Sequence, residues 1–435
     1  MYISRHLEVT LKNLSGSFGA VLVTGPRQVG KTTLLKHCFP EAHYLSFDDK
    51  IITRIAQLDP HSFLDAYPTP LIIDEIQYVP ELLPEIKIRL DTLKQQDMKK
   101  GQHEDNKAGT SPDQDGQPES KGRFLLTGSQ QFQLMQGVAE SLAGRLAIQT
   151  LLGLSAREAH KDPFNQAFLP TASYLKHRNP VWSLKNEPLT VWEMILRGSF
   201  PELIANRDIP SSQFYGSYIN TYLERDVRSL SQVGDLRHFN AFMVVLASRT
   251  GQLLNMSDIA SQLGISMPTV KRWISVLEAS QIIYLLRPFY SNISKRALKT
   301  PKLYFLDTGL AAHLTGWTTP DVLRLGAMSG AFFETFVVAE VLKSYYNAGI
   351  IDPPLYYYRD QQKNEIDLII VKDGMLHPIE IKASASPHSH DIKAFEKLVQ
   401  FENSGLRVGE GCLLCLYPEL AALSKQNMIV PLSHL

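Results

Sequence analysis

The sequence predicts an α/β fold, in which a parallel sheet is followed by a helical segment and a second α/β domain. Apolar runs near residues 20, 44, 71, 124 and 146 alternate with helical patterns, which is typical of a parallel sheet. Short helices replace this pattern at residues 241–290, and strands return beyond residue 330. A chain of 435 residues exceeds what one core usually fills, so we expect domains at 1–160, 161–325 and 326–435.

The loop after the first apolar run fits the spacing G-x-x-x-x-G-K-[ST] at every fixed position. Its glycines let consecutive backbone N–H groups surround a phosphate at the positive end of the following helix. Lys31 then reaches the β and γ oxygens, and Thr32 offers its hydroxyl to Mg²⁺. No guanine-reading N/TKxD motif is present, which favours ATP over GTP. The predicted ATP-binding residues are Gly25, Pro26, Arg27, Gln28, Val29, Gly30, Lys31, Thr32 and Thr33.

Two carboxylates follow the third apolar run. Asp74 is expected to hold Mg²⁺ together with Thr32, and Glu75 to orient and polarise the attacking water. The next strand, at residues 123–129, ends in hydroxyls, so Thr127 or Ser129 can lie beside the γ-phosphate as a polar sensor. An ordinary turn at the strand end explains either residue equally well. The predicted catalytic set contains Glu75 and Ser129.

Composition excludes several classes of protein. Lys plus Arg number 44, as do Asp plus Glu, so any basic surface that binds nucleic acid must be local. No apolar run is long enough to span a bilayer and no signal peptide opens the chain, so we expect a cytoplasmic protein without a membrane partner. Cys412 and Cys415 resemble half of a zinc site but lie in an apolar run, which predicts buried core residues. Residues 95–122 have no aromatic and almost no aliphatic side chains, which predicts a disordered insert within the first domain.

The middle of the chain carries a helix-turn-helix pattern, with Gly264 at the turn and Val270 and Ile274 facing the core. Two strands follow, so the segment resembles a winged helix. Basic residues that could contact DNA phosphates lie on the second helix and on the wing. A packing or protein-binding role is equally compatible with this pattern. These basic residues are Lys271, Arg272, Arg287, Lys295, Arg296, Lys299 and Lys302.

The C-terminal segment places an acid, a short hairpin and Glu-x-Lys in succession, and it is similar to the restriction-endonuclease-like PD-(D/E)xK family. The resemblance implies a nuclease centre in which Asp367 and Glu380 bind Mg²⁺ and Lys382 polarises water or phosphate. Glu334, on an apolar helix, would complete the metal shell. Solvated surface charges and a retained but inactive fold are the alternatives.

The strand order of the first domain resembles that of AAA-type ATPases, in which an arginine from a neighbouring subunit commonly completes the site. The resemblance implies a homo-oligomer with Arg145 as this arginine, whereas a structural ion pair is the alternative. Nearly the whole chain resembles prokaryotic ATP-binding proteins that join an AAA-type module to a C-terminal domain of unknown function. The matching segments are residues 25–33, 72–77, 125–129, 142–145, 197–201, 222–226, 301–310, 365–367 and 380–382.

These patterns predict a Mg²⁺-dependent ATPase whose nucleotide state controls a winged-helix and nuclease-like region. Two alternatives remain open. One is a nucleotide-gated module that binds DNA or protein with little turnover, and the other is an ATP-regulated DNA nuclease.

Overall fold

The computed structural model describes residues 2–105, 118, 120–128, 142–182, 190–223, 236–290 and 299–435. It forms two compact units. The N-terminal unit contains Ser4–Leu152 and Tyr346–Ile351, and the C-terminal unit contains Met1–Ile3, Gly153–Tyr345 and Asp352–Leu435. Apart from Tyr346–Ile351, the middle and last predicted domains belong to one unit, and their division at residue 325 stays a prediction. None of the helices in the described stretches is long and apolar enough to cross a membrane.

The N-terminal unit is built on a five-stranded sheet in which every strand pairs in parallel, as the sequence predicts. Strands β1, β3 and β4 are buried along their whole length, as expected for a parallel sheet with apolar runs. The strand order is β2-β3-β4-β1-β5. The strands are β1 (Ala20–Thr24), β2 (His43–Ser46), β3 (Leu71–Asp74), β4 (Phe124–Gly128) and β5 (Leu146–Thr150).

In the described part of this unit, five helices accompany the sheet, and polar side chains begin two of them. The Asp49 carboxylate accepts from the backbone N–H groups of Ile51 and Ile52, and that of Asp59 accepts from Ser62. A short 3₁₀ helix follows β3. The helices are α1 (Leu7–Ser15), α2 (Lys31–Cys38), α3 (Lys50–Leu58), α4 (Pro60–Asp65) and α5 (Leu82–Asp105).

Helix α5 corrects the prediction of a disordered insert at 95–122. The helix continues to Asp105, because four buried apolar residues anchor its first turns and strong helix formers follow them. At the other end of the insert, Ser120 is buried, and its backbone N–H donates to Asp97 Oδ2 over 3.0 Å. The prediction was wrong at these two ends. Its central part, residues 106–117 and 119, lies outside the described residues.

Helices make up most of the first part of the C-terminal unit. A capping box starts the first of them, in which Ser155 and Glu158 exchange side-chain and backbone hydrogen bonds. One π-helical turn, Ile219–Leu223, follows the fifth of these helices. They are α6 (Ala156–Ala159), α7 (Ala172–Lys176), α8 (Thr190–Arg197), α9 (Pro201–Ala205), α10 (Ser211–Tyr218) and α11 (Leu236–Ala247).

A helix-turn-helix follows, formed by α12 (Met256–Leu263) and α13 (Met267–Ala279). Gly264 makes the turn with φ 65°, and Val270 and Ile274 are buried, as predicted. A small antiparallel sheet in the order β6-β8-β7 accompanies these helices. Its strands are β6 (Gln252–Leu253), β7 (Ile283–Leu286) and β8 (Lys302–Phe305), and the helices α14 (Thr308–Leu314), α15 (Pro320–Leu325) and α16 (Ser329–Asn347) come next.

The last part of the chain forms a mixed sheet in the order β14-β15-β13-β11-β10-β9, with β12 beside β11. Strands β9 to β11 pair antiparallel, whereas β11, β13 and β15 pair in parallel. Cys412 and Cys415 are buried in β13, which confirms the core prediction. The strands are β9 (Leu355–Arg359), β10 (Glu365–Lys372), β11 (Met375–Lys382), β12 (Arg407–Val408), β13 (Gly411–Cys415), β14 (Ala421–Ala422) and β15 (Asn427–Pro431). Two 3₁₀ segments, Ser389–Ser404 and Leu432–His434, complete it.

The two glycines of the loop after β1 provide a test of this backbone. A Cβ on Gly25 would lie 2.0 Å from the Leu151 carbonyl oxygen, whereas a Cβ on Gly30 would meet nothing within 4 Å. Both residues have positive φ, so Ala costs about 1–2 kcal/mol of backbone strain at either position. We therefore expect Gly25→Ala to lower the thermal unfolding midpoint clearly more than Gly30→Ala. Equal losses would contradict the close approach to Leu151.

Candidate functional site

The loop between β1 and α2 encloses the ammonium group of Lys31. Lys31 Nζ donates to the carbonyl oxygens of Gly25 over 2.9 Å and of Pro26 over 2.8 Å, and the residue is 6% exposed. Gly30, with φ 91°, turns the chain into α2. The loop thus holds a positive charge at the N-terminal end of a helix, where the helix dipole also favours an anion.

Asp74, at the end of β3, accepts hydrogen bonds from three hydroxyls. Thr32 Oγ1 donates to Asp74 Oδ1 over 2.8 Å, Tyr44 donates to Oδ2 over 3.1 Å, and Thr127 donates to Oδ1. Burial and the charge of Asp74 raise the pKa of the Tyr44 hydroxyl, so it remains a donor at neutral pH. The strand order explains this cluster, because β4 lies between β1 and β3 and brings Thr127 to their common edge.

Glu75 is held by two side chains that the sequence does not point to as its partners. Gln77 Nε2 donates to Glu75 Oε2, and Arg27 Nη1 lies 3.8 Å from Glu75 Oε1. The backbone of Glu75 is left-handed, with φ 56°, and its N–H donates to Thr127 Oγ1 over 3.1 Å. Arg27, predicted only as a nucleotide-binding residue, therefore contacts the predicted water-orienting carboxylate.

The middle of the phosphate loop is held by a contact with Arg5. Gln28 has a positive φ of 63°, and the buried Val29 accepts at its carbonyl from Arg5 Nη1 over 2.9 Å. Arg5 Nη2 also donates to the Leu152 carbonyl over 2.8 Å. Arg5 therefore stabilises the loop, although no sequence pattern indicates this role. Thr33, the last predicted loop residue, lies in the first turn of α2.

The residues at this edge fit a magnesium–nucleotide complex. A hydroxyl and a carboxylate in direct contact, Thr32 and Asp74, are the oxygen ligands that Mg²⁺ prefers. A Cβ at Gly25 would overlap the Leu151 carbonyl oxygen, so only glycine fits where the loop leaves β1. Ser129, the predicted sensor, lies outside the described residues, and Thr127 is the hydroxyl of β4 that contacts Asp74.

Arg145 forms an ion pair within its own chain. Its guanidinium contacts both carboxylate oxygens of Asp91, with Nη2 2.9 Å from Oδ2, and about a third of each side chain is exposed. This hydrogen bond lowers the pKa of Asp91. The interaction agrees with the structural alternative for Arg145, and its role toward a neighbouring subunit stays a prediction.

Two of the predicted nuclease residues, Glu334 and Asp367, lie beside a lysine. Lys302 Nζ is 2.9 Å from Glu334 Oε1 and 3.5 Å from Asp367 Oδ1, and it also contacts Glu365 Oε1 over 2.5 Å. Lys302 is 2% exposed. Its predicted place in a basic stripe on the wing was therefore wrong, because its charge is buried among carboxylates.

Glu380 and Lys382 lie beside these carboxylates. The pairing of Leu368 with Ile379 brings Asp367 next to Glu380, and Lys382 Nζ is 2.6 Å from Glu380 Oε1. Burial, and then the charge of Asp367, raise the pKa of Glu334 to about 7 and that of Glu380 to about 8. We call Lys302, Glu334, Glu365, Asp367, Glu380 and Lys382 the C-terminal charge cluster.

This cluster does not fit a bound metal as the predicted nuclease centre requires. Within the described ranges, no group of three or more His, Cys, Asp or Glu side chains is arranged to hold a metal ion. Glu334 and Asp367 instead share the ammonium group of Lys302. The structure thus brings Glu334 and Asp367 together around a protein cation, whereas Glu380 pairs with Lys382.

The basic residues of the helix-turn-helix are partly described. Lys271 and Arg272 are exposed on α13, Lys299 is exposed, and Arg287 is half-buried. Lys295 and Arg296 lie outside the described residues, so their predicted contacts with DNA have no structural description.

A third polar centre was missed by sequence reasoning. Asp307 accepts from the Ser199 backbone N–H over 2.7 Å and from Tyr215 Oη over 2.7 Å, and it caps α14 at Leu310. Residues 197–201 and 301–310 are both among the segments that resemble the prokaryotic ATP-binding proteins, and this resemblance was the sequence signal that could have indicated the centre. A cavity of about 530 Å³ lies nearby in the same unit, lined by Ser199 among others.

The chain matches three domain families. Residues 17–100 match an AAA domain, 189–321 match a domain of unknown function, DUF8612, and 329–435 match another, DUF4143. Uncharacterized proteins of Mycobacterium bovis and Mycobacterium tuberculosis are 29% identical over 372 residues, which cover 84% of this chain and 71% of each relative. An uncharacterized protein of Haemophilus influenzae is 24% identical over 280 residues, covering 62% of this chain and 61% of the relative.

Two solved structures also align. A Walker-type ATPase of Pyrococcus abyssi has a TM-score of 0.38 at 14% identity, covering 72% of this chain and 96% of its own. The ORC2 protein of Aeropyrum pernix in its ADP form has a TM-score of 0.28 at 12% identity, covering 81% and 96%. The domain matches and the parallel sheet support an AAA-type P-loop ATPase domain joined to a C-terminal domain of unknown function, as the sequence predicts.

Proposed function

We propose that this chain is a Mg²⁺-dependent ATPase. The observation that carries the proposal is the hydrogen bond between Thr32 and Asp74 at the edge where the phosphate loop encloses Lys31. In P-loop NTPases the same three groups bind the metal and the β and γ phosphates. When bound, the Mg²⁺ ion supplies neutralisation of phosphate charge.

Glu75 is the proposed water-orienting residue. Its carboxylate is buried to 9% exposure at the same strand end as Asp74, and Arg27 and Gln77 contact it. These contacts fix the direction of the carboxylate. A fixed acceptor beside the γ-phosphate orients water and accepts its proton, which is the role a general base needs.

A second proposed activity is binding of DNA by the middle segment. The segment has the element order of a winged helix, which is one helix, one strand, two helices and two strands. Strand β8 lies between β6 and β7 in its sheet. Lys271 and Arg272 are exposed on the second helix of the helix-turn-helix, where such proteins contact DNA. We propose that the nucleotide state of the first domain controls this binding.

For the last segment we propose a restriction-endonuclease-like fold that binds DNA and does not cleave it. Helix α16 and strands β10 and β11 carry the predicted acids, but Lys302 lies among them. Incubation with duplex and single-stranded DNA plus Mg²⁺ or Mn²⁺ tests the ATP-regulated nuclease alternative. Nicking that Asp367→Ala abolishes would support that alternative.

The ATPase proposal is tested by two substitutions with separate effects. Lys31→Ala should abolish tight ATP binding, because it removes the charge inside the phosphate loop. Glu75→Gln should retain binding and lower the steady-state hydrolysis rate by about 10²–10⁴-fold, since only proton acceptance is lost. The control is Glu81→Gln, a nearby exposed carboxylate. Hydrolysis by Glu75→Gln at the native rate would refute the assignment of Glu75.

Arg145 is tested against its ion-pair partner. If it completes the site of a neighbouring subunit, Arg145→Ala should reduce turnover by about 10³-fold with ATP affinity preserved, whereas Asp91→Ala should not. Mixing Arg145→Ala with Lys31→Ala should then restore some activity at mixed interfaces. Equal small losses of thermal stability in Arg145→Ala and Asp91→Ala, with unchanged turnover, would leave Arg145 a structural residue.

DNA binding is tested by charge reversal. Replacing Lys271 and Arg272 together by Glu should weaken binding to duplexes of any sequence and reduce its salt dependence, because phosphate contacts are lost. Reversal of two exposed lysines elsewhere, Lys393 and Lys425, is the matched control. Fluorescence anisotropy with ATP and with ADP measures the nucleotide effect. No affinity of the native protein at low salt would identify the segment as a packing or protein-binding module.

A further inference from the structure

The C-terminal charge cluster contains a cation supplied by the protein itself. In a nuclease-like centre, Glu334 and Asp367 would share a metal ion. Here both carboxylates lie within 3.5 Å of Lys302 Nζ, and Glu365 contacts the same ammonium group. An ammonium group has three N–H donors, and three carboxylates surround this one.

The position of Lys302 is fixed by its strand. Lys302 and Tyr304 are two residues apart on β8, so both side chains point to the same face. Tyr304 Oη donates to Glu334 Oε1 over 2.6 Å, and Lys302 Nζ contacts the same oxygen. The hydroxyl of Thr335, on α16, forms a further hydrogen bond of 2.8 Å with the hydroxyl of Thr250. Strand β8 and helix α16 therefore hold the ammonium group in place.

The remaining carboxylate oxygens are largely committed. Asp367 Oδ2 accepts from the backbone N–H of Ile381 over 2.9 Å, and Glu365 Oε2 pairs with Arg359 over 2.6 Å. Glu380 Oε1 pairs with Lys382, whereas Glu380 Oε2 is buried without a hydrogen-bond partner.

We propose that Lys302 Nζ occupies the metal position of the C-terminal charge cluster and excludes divalent cations from it. A second cation at the same carboxylates would meet the buried positive charge of Lys302 at short range, with little water to screen it. The cluster is thus a latent metal site, closed by a residue from the neighbouring sheet. Removing the ammonium group opens it to a divalent cation.

The test counts bound Mn²⁺ by electron paramagnetic resonance in metal-stripped, nucleotide-free protein. Every variant also carries Asp74→Asn, so that the phosphate-loop site does not contribute. Lys302→Met keeps the length of the side chain without its charge, and it should gain one Mn²⁺ site that Glu334→Gln then removes. Lys302→Arg, which keeps the charge, and Lys382→Met, at a half-exposed lysine, are the matched controls and should gain none.

Thermal unfolding gives a second readout. Lys302→Met should unfold at a lower temperature than the parent, and Mn²⁺ should raise its midpoint while leaving the midpoints of the parent and Lys302→Arg unchanged. Folded Lys302→Met that binds no Mn²⁺ would overturn the proposal. If Lys302→Met does not fold, Lys302→Gln replaces it under the same criteria. One Mn²⁺ bound by the parent with Lys302 intact, and lost in Glu334→Gln, would also overturn it.

Discussion

Burial of charged side chains constrains both compact units of this chain, because a charge removed from water must meet an opposite charge or several hydrogen bonds. Lys31 meets loop carbonyls, and Lys302 meets three carboxylates. Arg157, 3% exposed, pairs with Asp162 and donates to the carbonyl of Leu435. Lys31 finds its partners within its own loop, whereas Lys302 finds them on α16 and β10.

In the N-terminal unit the strand order meets this demand. A parallel sheet gathers the carboxyl ends of its strands at one edge, and the insertion of β4 between β1 and β3 adds Thr127 to the pair Thr32 and Asp74. The same edge carries Glu75, with Arg27 from the loop beside it.

In the C-terminal unit the compensation joins segments that the sequence separates. Strand β8 follows the helix-turn-helix, whereas Glu334 lies on α16 and Asp367 on β10. Lys302 contacts both carboxylates, so the middle segment and the last sheet share one buried ionic centre. Both segments belong to the same compact unit. The Glu-x-Lys pattern at residues 380–382 alone predicts a metal site, but Lys302 lies among the neighbouring carboxylates where the metal ion would be.

The sequence by itself determined the parallel sheet and the position of Lys31, because the phosphate loop and the apolar strands are local patterns that backbone geometry requires. It also located the helix-turn-helix and the strands carrying Asp367 and Glu380. Tertiary structure alone decided the contact of Arg27 with Glu75, the brace formed by Arg5, the ion pair of Arg145 with Asp91 and the burial of Lys302. A basic residue has the same local pattern whether it faces solvent or a carboxylate. The difference arises from partners far apart in the chain, such as Lys302 and Asp367, which only the folded arrangement brings together.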